Sequence, residues 1–294
     1  MAFPIVTRTL HRHIDIDGLR VFYRESVPET DQSPVLLLLH GFPSASHQYR
    51  RLVDALGAHY RLIAPDLPGF GHSDVPASPL TFDRLGEVMA GFVERLRLDH
   101  FVMYVFDYGA PVGFRVALRH PERIAGLVVQ NGNAYEEGLG EAMRQLVALR
   151  PGHEGEEAAR EMLTLPVTRK QYEAGTGDVQ LVSPDSWVLD QYFLDKPERA
   201  RPQLDLLLNY HANLGHYPEW QEWLRTRRPP MLITWGANDM FFPEPGAHAY
   251  LRDVPDAELH VYPTGHFALE EYLPEIAPLI AHFLDRTWKT VSSG

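Results

Sequence analysis

Six short apolar-rich runs recur along the chain, at 35–39, 61–64, 101–105, 124–129, 231–235 and 258–262. The first, Val-Leu-Leu-Leu-Leu, lacks the alternation of a sheet with one wet face, and such runs read as strands buried on both sides. Between them lie helical patterns. Leu85, Val88, Met89, Phe92, Val93 and Leu96 follow the spacing of one apolar helix face. Ile276, Leu279, Ile280, Phe283 and Leu284 repeat it near the C-terminus, where Pro278 leaves the helix start open. Strands alternating with helices predict the α/β class, a mostly parallel sheet covered on both faces. Ahead of the first run, residues 8–16 and 19–24 flank Asp17-Gly18, a dipeptide that tolerates the positive φ angles of a tight hairpin turn.

One stretch breaks the rhythm. Residues 134–228 hold no run that reads as a buried strand, but do hold Pro/Gly breaks, helical segments and nine Tyr, Trp or Phe residues. They read as a helical insertion between two sheet strands, and the aromatic content favours a lid over a pocket. The division expected is a core domain of 1–133 and 229–294 and a helical cap of 134–228.

Composition narrows the partners. With 27 basic against 39 acidic residues the formal charge is −12, which disfavours nucleic acid or an anionic membrane surface. The chain has no cysteine, so disulfides and thiolate chemistry are excluded. No cluster suggests a metal, no glycine loop suggests a phosphate, and no cofactor is expected. The N-terminal stretch lacks the pattern of a signal peptide and no run approaches the length of a membrane span. A cytoplasmic protein acting on a small molecule and water is the expectation, with the oligomeric state open.

The sharpest motif is Val105-Phe106-Asp107-Tyr108-Gly109, between a buried strand and a helical pattern. A strand-to-helix turn with Gly two residues past its centre exposes the central side chain at the top of a sheet, and here that residue is Asp107. His40-Gly41-Phe42-Pro43 ends an earlier strand, so the amides of Phe42 and Tyr108 are candidates to face a developing negative charge. Asp239 lies just past the strand at 231–235, and His266 follows the last strand. Carboxylate at 107, acid at 239 and histidine at 266 follow the chain order nucleophile, acid, base. His40, Phe42, Pro43, Phe106, Tyr108 and Phe267 are the candidate pocket residues around them.

With these motifs the chain resembles the α/β-hydrolase superfamily over essentially its whole length, and within it the epoxide hydrolase and haloalkane dehalogenase branch. The matching segments are HGFP at 40–43, APDLPGFGHSD at 64–74, the Asp-centred elbow, ANDMFF at 237–242 and TGHFALE at 264–270. The resemblance implies an eight-stranded, mostly parallel sheet with a helical cap inserted after the sixth strand. A carboxylate nucleophile displaces a leaving group from an sp³ carbon, and His266, oriented by Asp239, then activates water against the resulting ester on Asp107.

The branches differ at the leaving group. Haloalkane dehalogenases usually have Trp after the nucleophile, where this chain has Tyr108, plus either Asn in the HGxP turn, where it has Phe42, or a second Trp in the cap. A haloacid dehalogenase of the fluoroacetate type places arginines just after the nucleophile, and here Arg115 comes eight residues on. Epoxide hydrolases use cap tyrosines to protonate the opening ring. Leu206, Tyr210, Leu214 and Tyr217 fit one helical face, and Asn209-Tyr210-His211-Ala212-Asn213 is similar to the family's Asn-Trp-Tyr-Arg-Asn motif. In register, His211 stands for its Tyr and Tyr210 for its Trp. Tyr210 is the leading candidate acid, with Tyr217, Tyr135 and His211 as alternatives. Val105 stands where epoxide hydrolases usually have Gly, a feature closer to the dehalogenases. The expected activity is opening of an apolar epoxide to a diol. The alternatives are dehalogenation by the same residues and a hydrolase-fold protein that binds a ligand without turnover.

Overall fold

The computed structural model describes residues 6–77 and 79–291. Residues 1–5, the start of the stretch read for a signal peptide, lie outside the described residues. Asp17 and Gly18 take φ angles of 50° and 80°. Around them β1 (Thr9–Ile16) and β2 (Leu19–Ser26) pair antiparallel, with Ile16 opposite Leu19. The apolar runs become β3 (Val35–Leu39), β4 (Arg61–Pro65), β5 (Phe101–Phe106), β6 (Ile124–Gln130), β7 (Met231–Gly236) and β8 (Glu258–Tyr262). Among the described residues these form one eight-stranded sheet in the order β1-β2-β4-β3-β5-β6-β7-β8. The pairs from β4 through β8 are parallel, and β1 and β2 add an antiparallel edge.

Helices α1 (Arg50–Leu56), α2 (Phe82–Arg95) and α3 (Gly109–Arg119) connect the strands as far as β6. Six more lie between β6 and β7: α4 (Glu141–Ala148), α5 (His153–Glu161), α6 (Leu165–Glu173), α7 (Pro184–Leu194), α8 (Pro197–Asn209) and α9 (Tyr217–Arg227). The short α10 (Pro245–Ala249) follows β7, and α11 (Ala268–Val291) follows β8.

Side chains of a strand alternate between its two faces, so the continuous apolar runs feed two cores. Leu37, Leu39, Met103 and Val105 pack with the apolar stripe of α2 and with α3. Leu36, Leu38, Val102 and Tyr104 pack with α1 and α11. The Thr81 hydroxyl caps α2 by accepting from the Arg84 amide at 3.2 Å, and α2 buries Leu85, Val88, Met89, Phe92 and Val93 as the spacing predicts. Each such burial contributes about 1.5–3 kcal/mol.

The C-terminal helix starts earlier than its periodicity suggests. It runs from Ala268 with a break at Tyr272, and Pro274 falls in the first turn after that break, where a missing N–H is tolerated. Among the described residues no helix is long and apolar enough to cross a membrane.

Candidate active site

The parallel sheet directs the C-terminal ends of β3, β5, β6, β7 and β8 to one edge, where open α/β sheets hold their ligands. Asp107 follows β5 at φ 47°, a conformation uncommon for any residue but Gly and enriched in Asn and Asp. The turn is close-packed. A Cβ at Gly41 would stand 2.3 Å from Asp107 Cβ, and one at Gly109 would stand 2.1 Å from the Leu39 carbonyl oxygen. Glycine at both positions lets the elbow and the 41–43 turn touch.

That contact sets the carboxylate. The Phe42 amide donates to Asp107 Oδ1 at 2.6 Å, and the Tyr108 amide is a second backbone donor to the same group. The other oxygen, Oδ2, lies 3.8 Å from His266 Nε2. Burial pushes the Asp107 pKa up to about 6, against the opposing pull of His266 and the two amides. The imidazole is held from behind: His266 Nδ1 is 2.6 Å from Asp239 Oδ2. Burial alone lowers the His266 pKa, but the charge and hydrogen bond of Asp239, joined by the charge of Asp107, outweigh it, and the net shift is upward. Nε2 is buried with no hydrogen-bond partner, so it is the ring nitrogen left for a reacting group.

The fold agrees with comparisons to known proteins. Residues 34–272 match the alpha/beta hydrolase fold family. The chain belongs to that family. It is also 39% identical over 269 residues to an uncharacterized hydrolase of Saccharomyces cerevisiae, covering 89% of this chain and 92% of the yeast protein. A haloalkane dehalogenase of Mycobacterium marinum is 41% identical over 121 residues, 40% of each chain. Among solved structures, the haloalkane dehalogenase DatA from Agrobacterium tumefaciens C58 superposes with a TM-score of 0.80 at 21% identity, covering 95% of this chain and 97% of its own. At that identity the superposition speaks for the fold.

Beyond the three residues expected together, this hydrolase engages two that the motifs did not reveal. Asn131, just past β6 at φ 40°, donates to Asp239 Oδ2 at 2.8 Å and accepts from the Gly236 amide at 2.9 Å. Gln130 donates to the His266 carbonyl at 3.2 Å. The Phe241 amide completes the set by donating to Asp239 Oδ1 at 2.7 Å. Around the imidazole stand the rings of Phe106 at 4.5 Å, Phe267 at 5.2 Å and Phe241 at 5.3 Å.

The elbow's own Tyr108 is the centre of an aromatic cluster. The Tyr108 ring lies 4.9 Å from Phe82, 5.8 Å from Phe42 and 5.8 Å from Tyr210. Tyr210 is buried, and its phenol is raised well above 10 by burial, then by the neighbouring Tyr217 and the charge of Asp107. A side-chain hydrogen bond links Tyr210 to Tyr217, whose oxygen also accepts from Asn133 Nδ2 at 3.1 Å.

The other candidates are placed differently. The expected α-helical face through Tyr210 and Leu214 does not form, because α8 stops at Asn209 and residues 210–216 wind as a 3₁₀ helix. With three residues per turn, Tyr210 and Asn213 share the buried side. Tyr135 donates its hydroxyl to Asp253 at 2.7 Å and packs on Tyr250, engagements that take it out of the tyrosine cluster. His211 Nδ1 meets the Leu208 carbonyl at 2.9 Å and its side chain is half-buried. His40 engages the backbone at both ring nitrogens, accepting from the Leu67 amide through Nε2, and burial drives its pKa down to about 4. It braces the turn as a neutral ring. Pro43 lies buried within that turn. Arg115 is bound to Asp83 and Asn213.

A cavity of about 350 Å³ opens between α4, α5 and α6, lined mostly by apolar side chains including Leu146, Met162, Val167 and Met240. Phe241 forms part of its wall and also faces the His266 ring.

Proposed function

We propose that this hydrolase opens a small to medium apolar epoxide to a diol through an ester on Asp107. The observation that carries the reading is the division of labour at the Asp107 carboxylate. Oδ1 is tied to the Phe42 amide, while Oδ2 lies beside the unpartnered nitrogen of His266.

In the first step Oδ2 attacks an epoxide carbon, the ring C–O bond breaks, and the released oxygen takes the proton of Tyr210. Phenols suit this task because the alkoxide formed is a much stronger base than phenolate. Oδ1 becomes the ester carbonyl oxygen, already held by the Phe42 amide, with the Tyr108 amide as the second donor at this carboxyl. In the second step His266 takes a proton from water as the water oxygen attacks that carbonyl. The negative charge on Oδ1 falls on the two amides. Collapse breaks the acyl C–O bond, His266 protonates the departing diol oxygen, and the acid proton left on Asp107 restores Tyr210.

Helices α4–α9 serve in this reading as a cap over the site, consistent with the expected division at 134 and 228. The rings of Phe106, Phe241 and Phe267 around His266 support an apolar substrate. A haloalkane dehalogenase is the second reading, favoured by similarity to the proteins of that name and by the Tyr108 hydroxyl, which is buried without a partner and is a free donor for a halide. Parallel assays of an epoxide panel for diol and a haloalkane panel for halide separate the two. Diol formation is the expected result; halide release without diol establishes the second reading, and neither product discards both.

A further inference from the structure

Among the polar residues that helix α7 buries, Ser186 and Asp190 lie one turn apart. Asp190 Oδ1 lies 2.8 Å from His47 Nε2, and its Oδ2 accepts from the Tyr172 hydroxyl at 2.6 Å. His47 belongs to the 3₁₀ turn Ser46–Tyr49, which follows the turn that presents the Phe42 amide, and its ring also reaches Ser44 Oγ at 3.5 Å. Tyr172, from α6, lies flat on Phe267 with centroids 3.7 Å apart and planes at 9°. Phe267 directly follows His266. One turn back, Ser186 donates to Glu270 at 3.0 Å and accepts from Arg50 at 3.0 Å. Helix α7 therefore grips the chain just after the oxyanion turn and the chain just after His266.

A carboxylate at this depth costs desolvation that a packed leucine would avoid. In return Oδ2 imposes a direction on Tyr172, because a hydrogen bond constrains angles as well as distances, while Oδ1 holds His47 through a close contact of 2.8 Å. Ester formation on Asp107 needs the carboxylate and a leaving-group donor. Ester hydrolysis also needs His266 and the two amides poised together on one carbonyl, so only the second step depends on the spacing between residues 42 and 266.

We propose that Asp190 is a positioning residue for the hydrolytic half-reaction, tying the oxyanion turn through His47 and the His266 loop through Tyr172 to one carboxylate. The proposal rests on the reading of Asp107 as the alkylated group. The test uses steady-state kinetics and intact-mass spectrometry during turnover of styrene oxide and 1-bromobutane, on the wild type, Asp190→Asn, Tyr172→Phe and His266→Gln. Slower ester hydrolysis lowers kcat and KM together and spares kcat/KM. For Asp190→Asn the expected result is a fall in kcat of about 10-fold or more, with kcat/KM held within about 2-fold and ester building up on Asp107. Tyr172→Phe keeps the ring on Phe267 and should show the same pattern at about 3-fold. That variant carries the test if Asp190→Asn does not fold. An unchanged kcat, or a joint fall of kcat and kcat/KM without ester, overturns the proposal. If His266→Gln traps no ester with either probe, or the wild type turns over neither, the reading of Asp107 fails and Asp190 loses its role with it.

Discussion

His266 Nδ1 and Asp239 Oδ2 are 2.6 Å apart, and both side chains are buried. A bond at that distance fixes the ring's tautomer and direction, leaving Nε2 toward Asp107. The same oxygen of Asp239 also accepts from Asn131, so the acid is oriented from two strands at once.

The first consequence is a trapped intermediate. His266→Gln should leave ester formation nearly intact and block its hydrolysis, so a turned-over substrate should remain attached to the peptide containing Asp107. Wild type should show the same adduct as pH falls through the His266 pKa, which is raised above 6.5. Protonation removes the base, and below about 6 the Asp107 carboxylate also loses its charge, so the adduct should then decline. Peptide mass spectrometry across the pH series checks both limbs. An adduct on another residue, or full turnover by the variant, contradicts the mechanism.

Tyr210→Phe should cut epoxide turnover roughly 10²-fold, the lower end of general-acid contributions. The stability cost should stay near 1 kcal/mol, since the hydroxyl leaves while the ring keeps its contacts with Tyr108 and Phe82. Measuring kcat for Tyr210→Phe beside Tyr217→Phe and Tyr135→Phe decides the donor. Loss in Tyr217→Phe with normal turnover in Tyr210→Phe would move the acid one residue along the hydrogen bond. Normal turnover in all three, and in His211→Phe, would favour a leaving group that needs no proton.

Asn131→Ala should lower kcat by roughly 10- to 100-fold through misplacement of Asp239 and His266. It should also lower thermal stability, because the buried Gly236 amide loses its acceptor, a loss of about 1–3 kcal/mol. Kinetics and a thermal melt on the same preparation test the pair of effects. Unchanged kcat with reduced stability would make Asn131 a strand-end brace with no bearing on the acid.

Local signals carried the sheet and the three positions that the structure brings together, 107, 239 and 266. A strand buried on both faces must be apolar throughout, and this strand-to-helix turn demands glycine at 109, where the chain packs on the Leu39 carbonyl. Both requirements are visible within a few residues, as at 35–39 and 105–109. Asn131 and Asp190 gave no such sign, because each acts on a partner 108 or 143 positions away, brought near only by the finished fold. The segment 210–216 departs from its expected α-helix for a different reason. Its apolar spacing fits an α-helix, but its buried contacts, Tyr210 against Tyr108 and Asn213 with Arg115, are met by a tighter winding.

Asp107 itself should weaken the fold at neutral pH. Its folded pKa of about 6 stands above the ordinary 3.8, chiefly through burial. A raised acid pKa means that the native state holds its proton more tightly than the unfolded chain. The stability this contributes is complete below 3.8 and is lost as pH rises through about 6. Above that, the ionised carboxylate costs roughly 3 kcal/mol. Asp107→Asn removes the charge, keeps the shape, and suits the φ of 47° at least as well. It should abolish turnover, raise Tm by roughly 5 °C at about pH 8, and match the wild type at about pH 4. Calorimetry at the two pH values is the check. A variant no more stable than the wild type at the higher pH would show that the two amides and His266 compensate the buried charge in full, and that the elbow is held without electrostatic cost.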